Sequence, residues 1–351
     1  MRKAKRVSES VVVDLLALAE IVERFEGKRV VLLGDFVADS FQYGDITRVS
    51  REAPVLILRH RETRILPGGG ANAANNFVAL GARVTPVTVL GDDPAGDWLL
   101  GAFRQMKVDV SGVLRNKGGI TPTKTRFLAG WAHTIGQQVL RVDYEPQSTI
   151  PEPLQRKIES VLRAKLKGAN ALAISDYGFG VASPERVRRV VSPQKRAIPV
   201  TLDSRYQLLA YKRAGVTSAT PNEPEIESLY NTPIGQDLAK LERSGRTVLS
   251  ELKLRSLIIT RGKDGMALFE PGKETVHIPV HGSDQAVDVT GAGDTVLAAY
   301  TLGLASGASP IEASHIANIA GGLVVMKRGT ATVSRQELLD EIRKSASGVA
   351  P

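Results

Sequence analysis

The residues best suited to chemistry lie between Asp288 and Ala299, in the run DVTGAGDTVLAA. Gly291 and Gly293, either side of Ala292, permit a tight turn whose backbone N–H groups converge, and the alanine-rich run behind it reads as a buried helix starting there. Free N–H groups at the positive end of a helix dipole attract phosphate oxygens. Asp294 falls in the first helical turn, where a carboxylate can take the proton from a hydroxyl attacking that phosphate. The plainer reading of the same residues is a glycine-rich cap with a helix-stabilising aspartate.

A second glycine cluster, PGGGAN from Pro67 to Asn72, also leads from an extended segment into a helix of small residues. Gly68 and Gly69 let backbone approach a ligand closely, and Asn72 can cap the helix and donate to a sugar hydroxyl; a glycine hinge with an Asn cap is the alternative. Upstream, GDFVAD places Asp35 and Asp39 just past the C-terminal end of the first strand, where open α/β sheets bind ligands. Two carboxylates there suit a polyhydroxylated substrate, or cap a loop. TRGKDG, Thr260 to Gly265, reads as a hairpin turn between buried strands, and its backbone can also lie along a nucleotide. Asn222 and Glu225 in TPNEPE fall three apart on one helical face, a pair that either organises water around Mg²⁺ or caps the helix.

Positioning these groups falls to short β-branched runs alternating with helical stretches. The strands are expected at Arg29 to Gly34, Arg83 to Leu90, Ala171 to Ser175, Pro199 to Asp203 and Leu257 to Thr260. Helices are expected at Ala71 to Leu80, Pro94 to Met106, Pro153 to Lys167, Pro184 to Val191, Asn222 to Leu229, Gly235 to Leu249, Ala292 to Ser306, Pro310 to Met326 and Arg335 to Ser345. This rhythm is that of an α/β fold, doubly wound around a mostly parallel sheet with helices on both faces. Two regions break it, Phe41 to Leu66 and Thr121 to Asp143, where alternating residues predict hairpins forming a small β-sheet lid over one edge of the core. The organisation expected is a helical extension over 1–28, one α/β domain over 29–345 carrying the lid insertions, and a frayed tail over 346–351.

Composition narrows the function. With no cysteine there is no disulfide, thiol nucleophile or thiolate metal site, and the five histidines never fall at metal-ligand spacing. No run approaches the roughly 18 apolar residues of a spanning helix, and the N-terminal apolar stretch carries Asp14 and Glu20, which predicts a cytoplasmic protein without membrane attachment. The net charge of +9 gathers at Arg2 to Arg6 and Arg186 to Arg196 without interleaved aromatics, which predicts a solvated helix face and no nucleic-acid partner.

Taken together, GDFVAD, PGGGANAANNFVALGA, SDYG, TPNEPE, TRGKDG and DVTGAGDT stand in the order and spacing of the ribokinase-like (PfkB) carbohydrate kinases, which the chain resembles from residue 29 to about 340. Within that family it is most similar to the kinase part of the bifunctional enzymes that phosphorylate D-glycero-β-D-manno-heptose 7-phosphate for lipopolysaccharide precursors. YGDITRVSREAPV, LPGGGANAANN, QQVLRVDYE, ISDYGFG and VVMKRGTATVS carry that closer likeness.

The resemblance implies an ATP- and Mg²⁺-dependent sugar kinase, with a monovalent cation such as K⁺ held by oxygens of Asp288 and Thr290. It makes Asp294 the catalytic base and the backbone of Gly291, Ala292 and Gly293 the anion hole. Asp35, Asp39, Gly68, Gly69, Asn72 and Asp176 face the sugar. Asn222 and Glu225 stand near Mg²⁺, Thr260, Gly262 and Gly265 line the nucleotide, and Asn318 lies near the adenine. Three positions depart from the heptose kinases: Ser40 replaces an Arg, Phe179 a Lys, and Ser204–Arg205 a Pro-Lys pair. A sugar 7-phosphate needs cations, and Arg141 and Arg205 are the substitutes expected. A kinase of an unphosphorylated sugar or nucleoside, or an idle binding protein on the same fold, stays open. Nothing after residue 340 is long enough for a second domain, so a stand-alone kinase is expected, dimeric through the exposed strand edges of its lid.

Overall fold

Strand β1 (Arg29–Gly34) shows why the apolar runs are central strands: Val30 and Leu32 enter the core on one face of the sheet while Val31 and Leu33 enter the core on the other. The fold is that of a computed structural model, which describes residues 13–130, 137–191, 198–282 and 285–348. The strands that follow are β2 (Phe36–Val49), β3 (Leu56–Gly69), β4 (Arg83–Gly91), β5 (Val113–Asn116), β6 (Thr123–Gly130) and β7 (Gln137–Tyr144). The second half adds β8 (Ala171–Asp176), β9 (Val200–Ser204), β10 (Ser218–Ala219), β11 (Ser256–Thr260), β12 (Met266–Phe269) and β13 (Val276–Ile278).

Nine strands form the central sheet in the order β13-β12-β11-β10-β9-β8-β1-β4-β5. From β11 to β5 every pairing is parallel, and only β12 and β13 run antiparallel at the edge. One face is covered by α1 (Leu15–Glu23), α2 (Gly70–Ala79) and α3 (Pro94–Gln105), and the other by α4 (Glu152–Leu166), α5 (Pro184–Val191), α6 (Glu223–Tyr230) and α7 (Leu238–Leu252). The first face is completed by α8 (Ala292–Ala305), α9 (Pro310–Val325) and α10 (Arg335–Ala346). Leu18, Ile21, Val22 and Phe25 bury α1 in that same core, so the described part of the N-terminal segment is packed rather than appended.

The lid is a separate four-stranded sheet, β3-β2-β6-β7. Two antiparallel hairpins are present as expected, and they join through a parallel pairing of β2 with β6. Because β2 leaves β1 after a single residue, the lid is tied directly to the middle of the core.

Two expectations need correction. Helix α7 starts at Leu238 and not Gly235, because Asp237 accepts from the N–H groups of Ala239 and Lys240 and sets the cap there. Arg186 does not belong to a solvated basic face: it is 2% exposed, and its guanidinium donates to the carbonyls of Gly180 and Val181. Arg2 to Arg6 and 192–196 lie outside the described residues. Among the described residues no helix is long and apolar enough to cross a membrane.

Candidate active site

The C-terminal ends of the parallel strands open into a cleft of about 980 Å³ between the central sheet and the lid. At its middle, α8 begins as the glycine pattern predicts. Gly291 is the helix cap with φ +79, and a Cβ there would fall 2.5 Å from Nδ2 of Asn72, so glycine is required both for the turn and for its neighbour. Ala292 departs from expectation, since its N–H donates to the carbonyl of Val289 at 3.2 Å. The N–H groups of this turn left open to an anion are those of Gly291 and Gly293, as expected, and of Asp294.

Asp294 is 4% exposed. Its Oδ2 accepts from Nδ2 of Asn72 at 2.7 Å, and the Tyr177 hydroxyl donates to its Oδ1 at 3.5 Å. Burial pushes its pKa up to about 7, with the Asn72 hydrogen bond opposing the rise and the Asp39 charge adding to it. Asn72 is no cap, because α2 starts two residues earlier at Gly70; it projects from the first turn onto the Asp294 carboxylate. One turn on, Asn76 accepts from the Thr295 hydroxyl at 2.7 Å and donates to the Asn72 carbonyl at 3.0 Å, so a polar seam fixes α2 against α8.

The lid supplies the facing wall. Strand alternation puts Asp39 and Phe41 of β2, Lys124 and Arg126 of β6, and Arg141 of β7 on one face, and Asp39 and the three cations line the cleft. Arg126 is paired with Asp39 at 2.5 Å and Arg141 with Asp143 at 2.5 Å. Lys124 and Arg205 line the same end and have no carboxylate partner among the described residues; each instead lies against a tyrosine ring, Tyr177 and Tyr206 respectively. Gly68 gives Asp39 its room, since a Cβ there would sit 2.4 Å from the carboxylate. Ser40 alternates onto the opposite face and accepts from Gln42, so its departure from the heptose kinases removes no cation from this wall.

Two of the expected sugar contacts are placed otherwise. Asp35 does not line the cleft: its carboxylate is 1% exposed and accepts from the N–H groups of Tyr177, Phe179 and Val181, fixing the loop that follows β8. Asp176 borders the cleft, but its oxygens are taken by Ser204, Gln207, Tyr211 and the N–H of Gly178. Both shape the floor from beneath.

Towards the other end, Asn222 and Glu225 form a reciprocal capping box at the start of α6, at 2.8 and 3.0 Å, which settles the local reading of that pair while leaving Glu225 on the cleft wall. Thr260, Gly262 and Gly265 line the cleft beside it, with Gly265 at φ +76 in the turn between β11 and β12. Asn318 closes this end, its Nδ2 donating to the Pro279 carbonyl at 2.8 Å. Thr290 lies on the rim, and Asp288 just outside it, its carboxylate accepting from the N–H groups of Thr290 and Gly329 at 2.9 and 3.0 Å.

The residue that motif reading missed is Asp203, at the end of β9. Its Oδ2 lies 3.8 Å from where a Cβ on Gly293 would stand. Burial, with the nearby charges of Glu225, Asp294 and Asp176, holds its pKa well above the usual carboxylate range, and burial likewise raises that of Glu225. The Arg205 charge opposes the rise at both carboxylates.

The sequence profile described as pfkB family carbohydrate kinase matches residues 28–337. The bifunctional protein HldE of Trichlorobacter lovleyi is 36% identical over 327 residues, which cover 93% of this chain and 65% of that relative, so the chain spans just under two thirds of its length. Two solved structures share the fold. Arabidopsis thaliana ribokinase complexed with ribose and ATP gives a TM-score of 0.70 at 19% identity, covering 91% of this chain and 99% of that one. Phosphofructokinase-2 from Escherichia coli in complex with potassium gives 0.73 at 21%, covering 92% and 99%.

Proposed function

The chain belongs to the pfkB family of carbohydrate kinases, and from that premise we propose that it transfers the γ-phosphoryl group of ATP to the anomeric hydroxyl of D-glycero-β-D-manno-heptose 7-phosphate. The observation that carries the reading is a single cleft that holds a buried carboxylate, Asp294, together with two cations without ion-pair partners, Lys124 and Arg205. A phosphorylated sugar whose reacting hydroxyl meets Asp294 would offer its own phosphate to those cations.

In this mechanism the Asp294 carboxylate takes the proton of the sugar hydroxyl as its oxygen attacks the γ-phosphorus in line. The bond to the β–γ bridging oxygen breaks and ADP leaves. A base with a pKa of about 7 is matched to work near neutral pH. The N–H groups of Gly293 and Asp294, at the positive end of α8, stabilise charge developing on the transferred group. Asp39 and Asn72 orient sugar hydroxyls, while Thr260, Gly262, Gly265 and Asn318 flank the nucleotide. The oxygen donors Asp203 and Glu225 fit Mg²⁺, which is commonly held by one or two carboxylates together with substrate phosphates, and the ion would neutralise phosphate charge there. Asp288 and Thr290 offer oxygens to a monovalent cation, which a potassium titration of turnover tests.

The second reading is a kinase of an unphosphorylated sugar or nucleoside, favoured by Phe179 standing where the heptose kinases carry a Lys. The deciding measurement is kcat/KM on heptose 7-phosphate, fructose 6-phosphate, fructose, ribose and adenosine. A cationic pocket left unpaired should reject the unphosphorylated members strongly. Preference for any of those members overturns the heptose-phosphate reading. The lid's outer face supports a homodimer as the working assembly.

A further inference from the structure

A second charged cavity lies at the opposite end of the central sheet. Arg29 opens β1 and Arg83 opens β4, and the two are direct partners in the parallel register. Like charges placed side by side on neighbouring strands repel. Arg29 folds over Gly168, its guanidinium nitrogen 3.1 Å from the position a Cβ would take. Lys107, held at φ +57 in the turn after α3, and Lys167 at the end of α4 complete the rim.

These groups surround a concavity of about 400 Å³, within the size of small-ligand pockets, and Val78, Met106 and Val108 contribute apolar wall. The one acidic residue on the lining, Asp109, is already engaged by Lys165 at 3.0 Å. Arg29, Arg83, Lys107 and Lys167 have no ion-pair partner among the described residues. Four exposed cations without ion-pair partners around one half-apolar hollow attract an anion to it. The guanidinium groups of Arg29 and Arg83 on the lining suit the oxygens of a phosphate ester.

We propose that this cavity is a second ligand site, remote from the catalytic cleft, for a small phosphorylated molecule carrying at least two negative charges. Inorganic pyrophosphate is the probe, measured by equilibrium dialysis on the full chain. The wild type is expected to bind one more pyrophosphate per chain than Arg29→Gln/Arg83→Gln, whose basal sugar phosphorylation stays unchanged because neither residue touches the cleft. A second variant, Lys107→Gly, suits the left-handed backbone and so keeps the fold, and it should weaken the affinity of this site on the order of tenfold, the effect of one lost charge-assisted contact. Equal stoichiometry in wild type and double variant, or unaltered affinity in Lys107→Gly, overturns the site.

Discussion

Nδ2 of Asn72 lies 2.7 Å from Oδ2 of Asp294, joining the second glycine motif to the first across 222 residues of sequence. The contact lets Asn72 tune the proton affinity of the Asp294 carboxylate. Burial alone would hold the Asp294 proton too tightly for neutral pH, and the amide donor favours the ionised form. A substrate hydroxyl arriving at Asp294 must fit beside that amide.

Asp294→Asn keeps the shape and the Asn72 contact but removes the proton acceptor. Turnover should fall by at least ~10²-fold while ATP binding persists. Stability moves the other way. The folded-state pKa is raised from 3.8 to about 7, so the stability linked to this proton is complete below about 4 and is lost as pH rises through about 7. The variant should therefore melt higher than wild type at pH 8 and equally at pH 4, as scanning calorimetry at both values would record. Undiminished turnover removes Asp294 from its role.

The acid limb of kcat/KM should report the same group. Activity is expected to fall as pH drops through about 7, with a slope of one proton. In Asn72→Ala the donor that lowers the pKa is gone, so the limb should move to higher pH as well as the rate falling. A lower rate on an unmoved limb would leave Asn72 as a sugar contact alone.

The legible parts of the sequence were those whose signal is local. Val30 to Leu33 are apolar on consecutive positions, as a strand covered on both faces tolerates, and Gly291, at φ +79 with Asn72 crowding the place of a Cβ, marks a turn that calls for glycine. Asp203 gave no such signal, because one aspartate at a strand end is ordinary; its meaning comes from β9 lying beside β8 and from Glu225 and Gly293 approaching through space. Lys124 and Arg126 were accessible in principle, since alternation in KTRFLAG puts both on one lid face, but which face meets the cleft depends on the parallel β2–β6 pairing. Asp35 misled for the converse reason: it occupies the ligand-binding end of β1, yet three N–H groups from a distant loop claim its carboxylate.

Lys124 and Arg205 separate the substrate readings. Lys124→Met and Arg205→Met should each lower kcat/KM for heptose 7-phosphate by about tenfold or more, with little change for fructose, because only the phosphorylated sugar loses a charge-assisted hydrogen bond. Equal losses on both sugars would point to a general role in closing the lid.

The lid's far face bears on assembly. Leu140 and Tyr144 alternate along β7 onto the side away from Arg141, and they are 55% and 54% exposed on a strand that forms the open edge of its sheet. An edge with unpaired N–H and C=O groups beside large apolar side chains is a template for another strand. In a homodimer with two-fold symmetry each lid would cover the other, burying the same patch twice. Wild-type protein at micromolar concentration is therefore expected to sediment as a dimer. Leu140→Asp, which places a charge in the centre of that face without touching the cleft, should give a monomer of unchanged secondary structure. A wild type that sediments as a monomer, or a Leu140→Asp variant that stays dimeric, would place the working assembly elsewhere.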